Sequence, residues 1–133
     1  MMETFKYLSP EWAEEATRRL QADLTPEKMK HLTSSMVTIY TNCPDGVDRA
    51  VYYRLVDGVV EEVSLQEGEA PQAEFSIKGD YETFAQISRA ELKARAALMS
   101  GKLMLKGNLV KALRLSPVVD RLNEVLATIP TDY

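Results

Sequence analysis

Cysteine and histidine are nearly absent from this sequence, and their scarcity removes several kinds of site. Cys43 and His31 are the single residues of their types among 133 residues. One cysteine excludes an internal disulfide, and the two side chains are too few for a Cys/His zinc site. Cys43 falls at a predicted strand end and His31 at a predicted helix end, so we expect structural roles for both. The sequence predicts no metal.

Long apolar runs and targeting signals are also missing. No apolar segment approaches the ~20 residues that a membrane-spanning helix requires. The first six residues lack the basic region and apolar core of a secretory signal, and the last three match no common address signal. We therefore expect a cytoplasmic protein.

The sequence contains none of the short motifs that mark common enzymes. G-x-S-x-G, H-E-x-x-H and G-x-G-x-x-G do not occur, and Gly101-Lys102 lacks the earlier glycine and following hydroxyl residue of a phosphate-binding loop. We expect no catalytic residue, no cofactor and no enzymatic activity. One alternative stays open, because a tyrosine and an acid in an apolar pocket could transfer a proton; its candidates are Tyr40, Tyr52 and Tyr53.

The net charge of −4 disfavours a nucleic-acid partner, since such binding requires the neutralisation of phosphates. Lys102, Lys106, Lys111 and Arg114 nevertheless cluster in one stretch. The cluster has two interpretations: a solvated rim around an apolar element, or a landing patch for an anionic head group or membrane surface. Transient membrane contact therefore stays open.

Composition and local signals predict a globular fold that begins with helices. The 45% apolar and 27% charged residues fit one domain spanning residues 1–133. Ser9-Pro10-Glu11 predicts a helix to about Asp23, because serine caps a helix and proline suits its first turn. Thr25-Pro26-Glu27 repeats the signal and predicts a short second helix through Lys30.

Alternating apolar residues predict strands over 35–43, 49–56, 59–65 and 73–78. The hairpin signal Asp57-Gly58 sets a register that places Arg54 opposite Glu61. Asp80 is positioned to cap a helix over 81–87. The capping box Ser88-Arg89-Ala90-Glu91 predicts a further helix that contains the apolar residues Leu92, Ala96 and Met99.

The stretch from Ser100 to Leu115 predicts one short strand followed by one helix. The strand covers 102–106, and Gly107-Asn108 forms the corner, because glycine accepts positive φ and asparagine caps helices. The helix begins at Leu109. Pro117 interrupts it, so the sequence predicts a restart with Ser116 as the cap.

This stretch carries a resemblance to a known family. Residues 101–108 read G-K-L-M-L-K-G-N, and they follow a three-strand meander, the strand Phe75-Ser76-Ile77 and the segment 79–84. In that order and spacing they resemble the sterol carrier protein type 2 domain. The resemblance implies an α+β fold: a five-stranded mixed, mostly antiparallel sheet, with helices packed over it and an apolar tunnel between them.

The resemblance also implies a function without covalent chemistry. Members of this family bind lipid-like small molecules such as fatty acid, acyl-CoA, sterol or phospholipid, so we expect binding or transfer of such a ligand. An accessory or protein-interaction module with a collapsed cavity is the alternative, and the oligomeric state stays open. The expected wall residues of the cavity are Phe75, Ile77, Phe84, Ile87, Met99, Leu103, Leu105, Leu109 and Leu113.

Overall fold

A computed structural model describes residues 4–132 of the chain. These residues form five helices and seven strands. In chain order they are β1 Phe5–Lys6, α1 Pro10–Asp23, β2 Ser34–Thr41, β3 Arg49–Val56, β4 Val59–Glu67, β5 Phe75–Asp80, α2 Tyr81–Ser88, α3 Ala94–Met99, β6 Met104–Lys106, α4 Leu109–Arg114, α5 Ser116–Leu126 and β7 Thr131–Asp132.

Five of the strands form one sheet in the order β4-β3-β2-β5-β6. The β4–β3, β3–β2 and β5–β6 pairs are antiparallel, whereas β5 returns beside β2 in the parallel direction. The predicted α+β class and mixed, mostly antiparallel sheet are therefore confirmed. The short strand β6 lies at one edge of the sheet.

Helices cover one face of this sheet and bury their apolar stripes against it. Trp12, Ala13, Ala16 and Leu20 are buried on α1, and Val118, Leu122, Val125 and Leu126 are buried on α5. On the sheet, the inward side chains include Tyr40, Val51, Tyr53 and Leu55. This separation of faces follows from the period of two in strands and 3.6 in helices.

The predicted hairpin register is correct at the turn and wrong beyond it. Leu55 pairs with Val60 as the Asp57-Gly58 turn requires, but a bulge follows, so Arg54 pairs with Glu62 rather than with Glu61. The extra residue turns the rest of β4 over, which places Val63 opposite Tyr53 on the buried face. Arg54 still lies 3.6 Å from a carboxylate oxygen of Glu61.

Two predicted helix starts are wrong. Residues 26–31 form turns rather than a helix, and the segment ends with positive φ at Lys30 and His31. Ser88 does not open α3; it ends α2 and is buried, and its hydroxyl donates to Tyr7. A tertiary contact has therefore taken the side chain that the capping-box prediction used, and α3 begins at Ala94 without a side-chain cap.

The corner between β6 and α4 forms as predicted, although β6 is shorter than expected. Gly107 has φ +129°, and a Cβ atom there would lie 2.9 Å from the Glu74 carbonyl oxygen. The Asn108 side chain accepts the Lys111 backbone N–H at 3.0 Å. The helix restarts before Pro117, but Leu115 occupies the cap position in place of the predicted Ser116.

A two-stranded parallel pair, β1 with β7, lies apart from the main sheet. No local pattern predicts this pair, because strands of two residues carry no apolar period. The Phe5 N–H donates to Pro130, and the Tyr7 N–H donates to Asp132 at 2.9 Å. These bonds hold the chain around Tyr7 in place, and its side chain is buried.

Candidate ligand-binding site

An apolar cavity of about 90 Å³ lies between the sheet and the helices α3, α4 and α5. The sheet side of its wall includes Met36, Phe75, Ile77 and Leu105. The helix side includes Leu98, Ala112, Leu115, Val118, Val119 and Leu122. Arg95 and Asp120 are the charged residues in this lining. We call this space the outer cavity.

A second cavity of about 40 Å³ adjoins the first, and we call it the inner cavity. Six residues border both spaces: Met36, Ile77, Ala94, Leu103, Val119 and Leu122. The two spaces therefore share part of their walls. Met36 is flexible and unbranched, so a change in its rotamer is a low-cost way to join them. Within residues 4–132, these two adjoining cavities lie where the resemblance implies one continuous tunnel.

Buried hydroxyl groups, three of them phenols, distinguish the inner cavity from the outer one, whose serines are only partly buried. The lining of the inner cavity includes Tyr7, Thr38, Tyr40, Tyr53 and Ser88, all of them buried. The Thr38 hydroxyl lies 3.2 Å from the Tyr40 hydroxyl and 3.3 Å from the Val51 carbonyl oxygen. The Ser88 hydroxyl donates to Tyr7 at 3.2 Å. We call these five residues the hydroxyl cluster.

The hydroxyl cluster stays uncharged at neutral pH. Burial raises the pKa of Tyr7 and of Tyr53 well above the usual value for a phenol, and proximity to Tyr40 raises both further. Burial also raises the pKa of Tyr40. No Asp, Glu, Lys or Arg is among the described residues that line the inner cavity. The cluster can therefore donate hydrogen bonds to an uncharged polar group but offers no counter-ion.

Six of the nine expected wall residues border a cavity in the structure. They are Phe75 and Leu105 in the outer cavity, Phe84 and Ile87 in the inner cavity, and Ile77 and Leu103 in both. Met99, Leu109 and Leu113 border neither cavity. Met99 is 71% exposed and Leu109 is 53% exposed. Both lie on short elements at the rim of the molecule, where an apolar residue does not have to face inward.

Sequence reasoning missed several lining residues because they share no local pattern with a wall. Met36 belongs to the inward face of β2, and Val119 and Leu122 belong to the inward side of α5. Ala94 and Ala112 line the cavities with small side chains. Such alanines are the signal in the sequence that could have indicated a cavity. A small side chain on a helix with larger apolar residues leaves space that a larger side chain would fill.

Comparison with known proteins places the chain in a family. Residues 5–120 match the model of a family described as the SCP-2 sterol transfer family. The chain belongs to the SCP-2 sterol transfer family. Membership indicates lipid binding or transfer. A comparison of the sequence with curated proteins finds no match.

Solved structures of this family share the fold of the chain. A crystal structure of sterol carrier protein 2 superposes with a TM-score of 0.82 at 24% identity, covering 93% of this chain and 99% of that one. A conserved hypothetical protein of Thermus thermophilus, suggested to be a sterol carrier protein, gives 0.82 at 24% identity, covering 98% and 94%. A palmitated sterol carrier protein 2-like protein of Aedes aegypti gives 0.60 at 20% identity, covering 84% and 94%.

Proposed function

We propose that the protein binds lipid-like molecules non-covalently in the joined outer and inner cavities and carries them without reacting on them. The observation that supports this is the pair of adjoining apolar cavities, which share six lining residues. Each methylene group removed from water there contributes about 0.8 kcal/mol. An alkyl chain or ring system therefore needs no special residue to bind, only space.

We further propose that the ligand has an uncharged polar end, such as a hydroxyl group, that lies at the hydroxyl cluster. A buried carboxylate would lose its hydration there and would find no cation among the described lining residues. A hydroxyl group can replace its lost water with hydrogen bonds to Tyr40 or Tyr53. Long-chain alcohols and sterols share this chemistry, whereas fatty acids would have to bind in the protonated form.

The first test is whether the protein carries a lipid and whether the cavity holds it. We expect native mass spectrometry of protein from its own source, followed by solvent extraction, to reveal a stoichiometric lipid-like species. The substitution Ala94→Leu fills the space between the cavities and should weaken binding of a long-chain alcohol by about tenfold. Ala96→Leu is the matched control, because Ala96 is exposed on the same helix.

A comparison of ligands then tests the polar end. Binding of a long-chain alcohol should be independent of pH across the neutral range. Binding of the corresponding fatty acid should weaken about tenfold for each pH unit above the pKa of its carboxyl group. If instead the fatty acid binds equally well above neutral pH, and Arg95→Gln abolishes that binding, the polar end lies in the outer cavity and the proposal about the hydroxyl cluster is wrong.

The cavity volume favours one second candidate, an interaction module that carries no ligand. At about 90 Å³ the outer cavity is smaller than the ~300 Å³ of typical ligand sites. A ligand of lipid size must therefore displace wall residues. A protein that is isolated empty, and that takes up neither the alcohol nor a fluorescent fatty acid, would establish this second candidate in place of the carrier.

A further inference from the structure

One continuous segment of the chain has the opposite charge to the rest. From Leu92 to Val119 there are six lysine and arginine residues and no aspartate or glutamate. Outside this segment, ten lysine and arginine residues stand against twenty acidic residues. The net charge of −4 therefore conceals a strongly basic segment attached to an acidic body.

The same segment also exposes most of the large apolar side chains at the surface. Seven large apolar residues are exposed in the described part of the chain, and four lie in this segment. They are Met99 at 71%, Met104 at 68%, Leu109 at 53% and Val110 at 61% exposure. Of the other three, Val47 lies in the loop before β3, and Val56 and Val59 are the strand residues on either side of the turn between β3 and β4. Apolar and cationic side chains thus coincide in one segment.

The segment forms the rim next to the outer cavity. It comprises α3, the edge strand β6 and α4, which contribute Leu98, Leu105 and Ala112 to the cavity wall. Helix α4 has no buried residue, so the wall is thin at this point. The residues exposed outward on these elements therefore lie close to the part of the wall that a ligand can most easily displace.

Most of the cations in this segment are available to an external partner. Lys102, Lys106 and Arg114 are exposed. Lys111 binds Glu74, with 2.9 Å between Nζ and a carboxylate oxygen, so Glu74 offsets one positive charge. Lys102 also contributes to the low pKa of Asp80, although the main cause is the hydrogen bond from the Thr83 backbone. Glu74 therefore offsets part of the positive charge, and Lys102, Lys106 and Arg114 remain exposed.

We propose that this rim docks on an anionic lipid bilayer. We define the docking rim as Met99, Lys102, Met104, Lys106, Leu109, Val110 and Arg114. The lysine and arginine side chains would be attracted to anionic head groups, and the four apolar side chains would enter the interface. Nucleic acid offers phosphates but gains little from exposed methionine, leucine and valine, so a bilayer fits both properties. A role of the docked rim in moving a lipid between the bilayer and the outer cavity rests on the carrier function proposed above.

The test is sedimentation with vesicles of phosphatidylcholine, alone or with about 30% phosphatidylglycerol. The protein should bind the anionic vesicles and not the neutral ones. Binding should fall as the salt rises to about 1 M, where the Debye length shrinks to about 3 Å. Lys102→Glu/Lys106→Glu should weaken binding by at least about thirtyfold, since each cation near an anionic surface contributes about a factor of five.

Matched variants separate the rim from general surface effects. Lys28→Glu/Lys30→Glu makes the same change in charge away from the rim and should bind almost as the unchanged protein does. Met104→Gln/Val110→Thr should weaken binding severalfold, whereas Val56→Thr/Val59→Thr should not. Equal losses in the rim and control variants would overturn the proposal.

Two other partners for the rim, nucleic acid and a second copy of the chain, are tested alongside the vesicles. Binding of duplex DNA through the rim cations without binding to vesicles would overturn the proposal, and so would a dimer whose formation hides the rim. Alcohol binding measured without vesicles is the separate readout of carrier function. If the protein binds the alcohol but not the anionic vesicles, the docking rim is rejected and the carrier function is not. If it binds the vesicles but not the alcohol, the carrier function is rejected and the docking rim is not.

Discussion

At the scale of single residues, the glycine in the hairpin turn between β3 and β4 limits which substitutions the chain tolerates. Gly58 follows Asp57 in the turn between β3 and β4, and both have positive φ. A Cβ atom at Gly58 would lie 2.7 Å from Cα of Pro26, and the Gly58 N–H donates to the Leu32 carbonyl at 2.8 Å. The hairpin turn is therefore packed directly against the turns that precede β2.

Gly58→Ala should lower the free energy of unfolding by about 3 kcal/mol, because it adds a backbone clash to the cost of left-handed φ. Gly68→Ala is the control: Gly68 also has positive φ, but its Cβ would meet no atom within 4 Å. That control should cost about 1 kcal/mol. Urea unfolding measures both, and equal losses would contradict the packing argument.

The buried tyrosines make a prediction about alkaline pH. Burial raises the pKa of Tyr7 and Tyr53 in the folded protein above its value of about 10 in the unfolded chain. The folded state therefore binds these protons more tightly, so their contribution to stability is complete below about pH 10 and is lost as pH rises above it. Urea unfolding at increasing pH, with phenolate absorbance, should show the decline. Tyr53→Phe should reduce its slope.

At the scale of elements, α4 is a weakly held part of the cavity wall. It has six residues, none of them buried, and it lies between the Gly107 corner and the restart at Pro117. An isolated helix of this length is unstable in water. Its cap and its packing against α5 must therefore keep it folded.

Asn108→Ala should remove the α4 cap and lower the free energy of unfolding by about 1 kcal/mol. Asn108→Asp should retain most of the stability, since a carboxylate also accepts the Lys111 N–H. Hydrogen exchange should show faster exchange of α4 amides in the alanine variant before any change in α1. Uniform acceleration along the whole chain would indicate that α4 is not a separate unit of opening.

At the scale of the whole molecule, the fold encloses a small cavity whose wall is thin at α4. A lipid-sized ligand exceeds the outer cavity as it stands, so binding must move wall residues. The six residues between the cavities and the exposed helix α4 offer the least resistance, because neither movement breaks the sheet. In the described residues, no helix is long and apolar enough to cross a membrane.

Alcohols of increasing length should reveal when the cavities join. We expect the affinity to rise about fourfold for each added methylene while the chain enters apolar space. Calorimetry measures this series, and Ala94→Leu should shorten the range over which affinity rises. An early plateau in the unchanged protein would show that the cavities do not join, and would favour the interaction module.

The local parts of the fold followed from local chemistry. The caps of α1 at Ser9, of α2 at Asp80 and of α4 at Asn108 depend on residues three positions along the chain, so the sequence predicted them correctly. The buried stripes of α1 and α5 followed from their periods. The capping-box prediction failed for the opposite reason, since Ser88 bonds with Tyr7, 81 residues away along the chain.

The sequence by itself determined the α+β class, most of the elements and the residue types available to a cavity. Tertiary structure alone decided the parallel β2–β5 pairing, the bulge in β4 and which apolar residues line space. It also brought Tyr7, Tyr40 and Tyr53 together. The physical reason is that filled and open cores use the same apolar residues. Whether space remains depends on how separate elements pack, which no local pattern encodes.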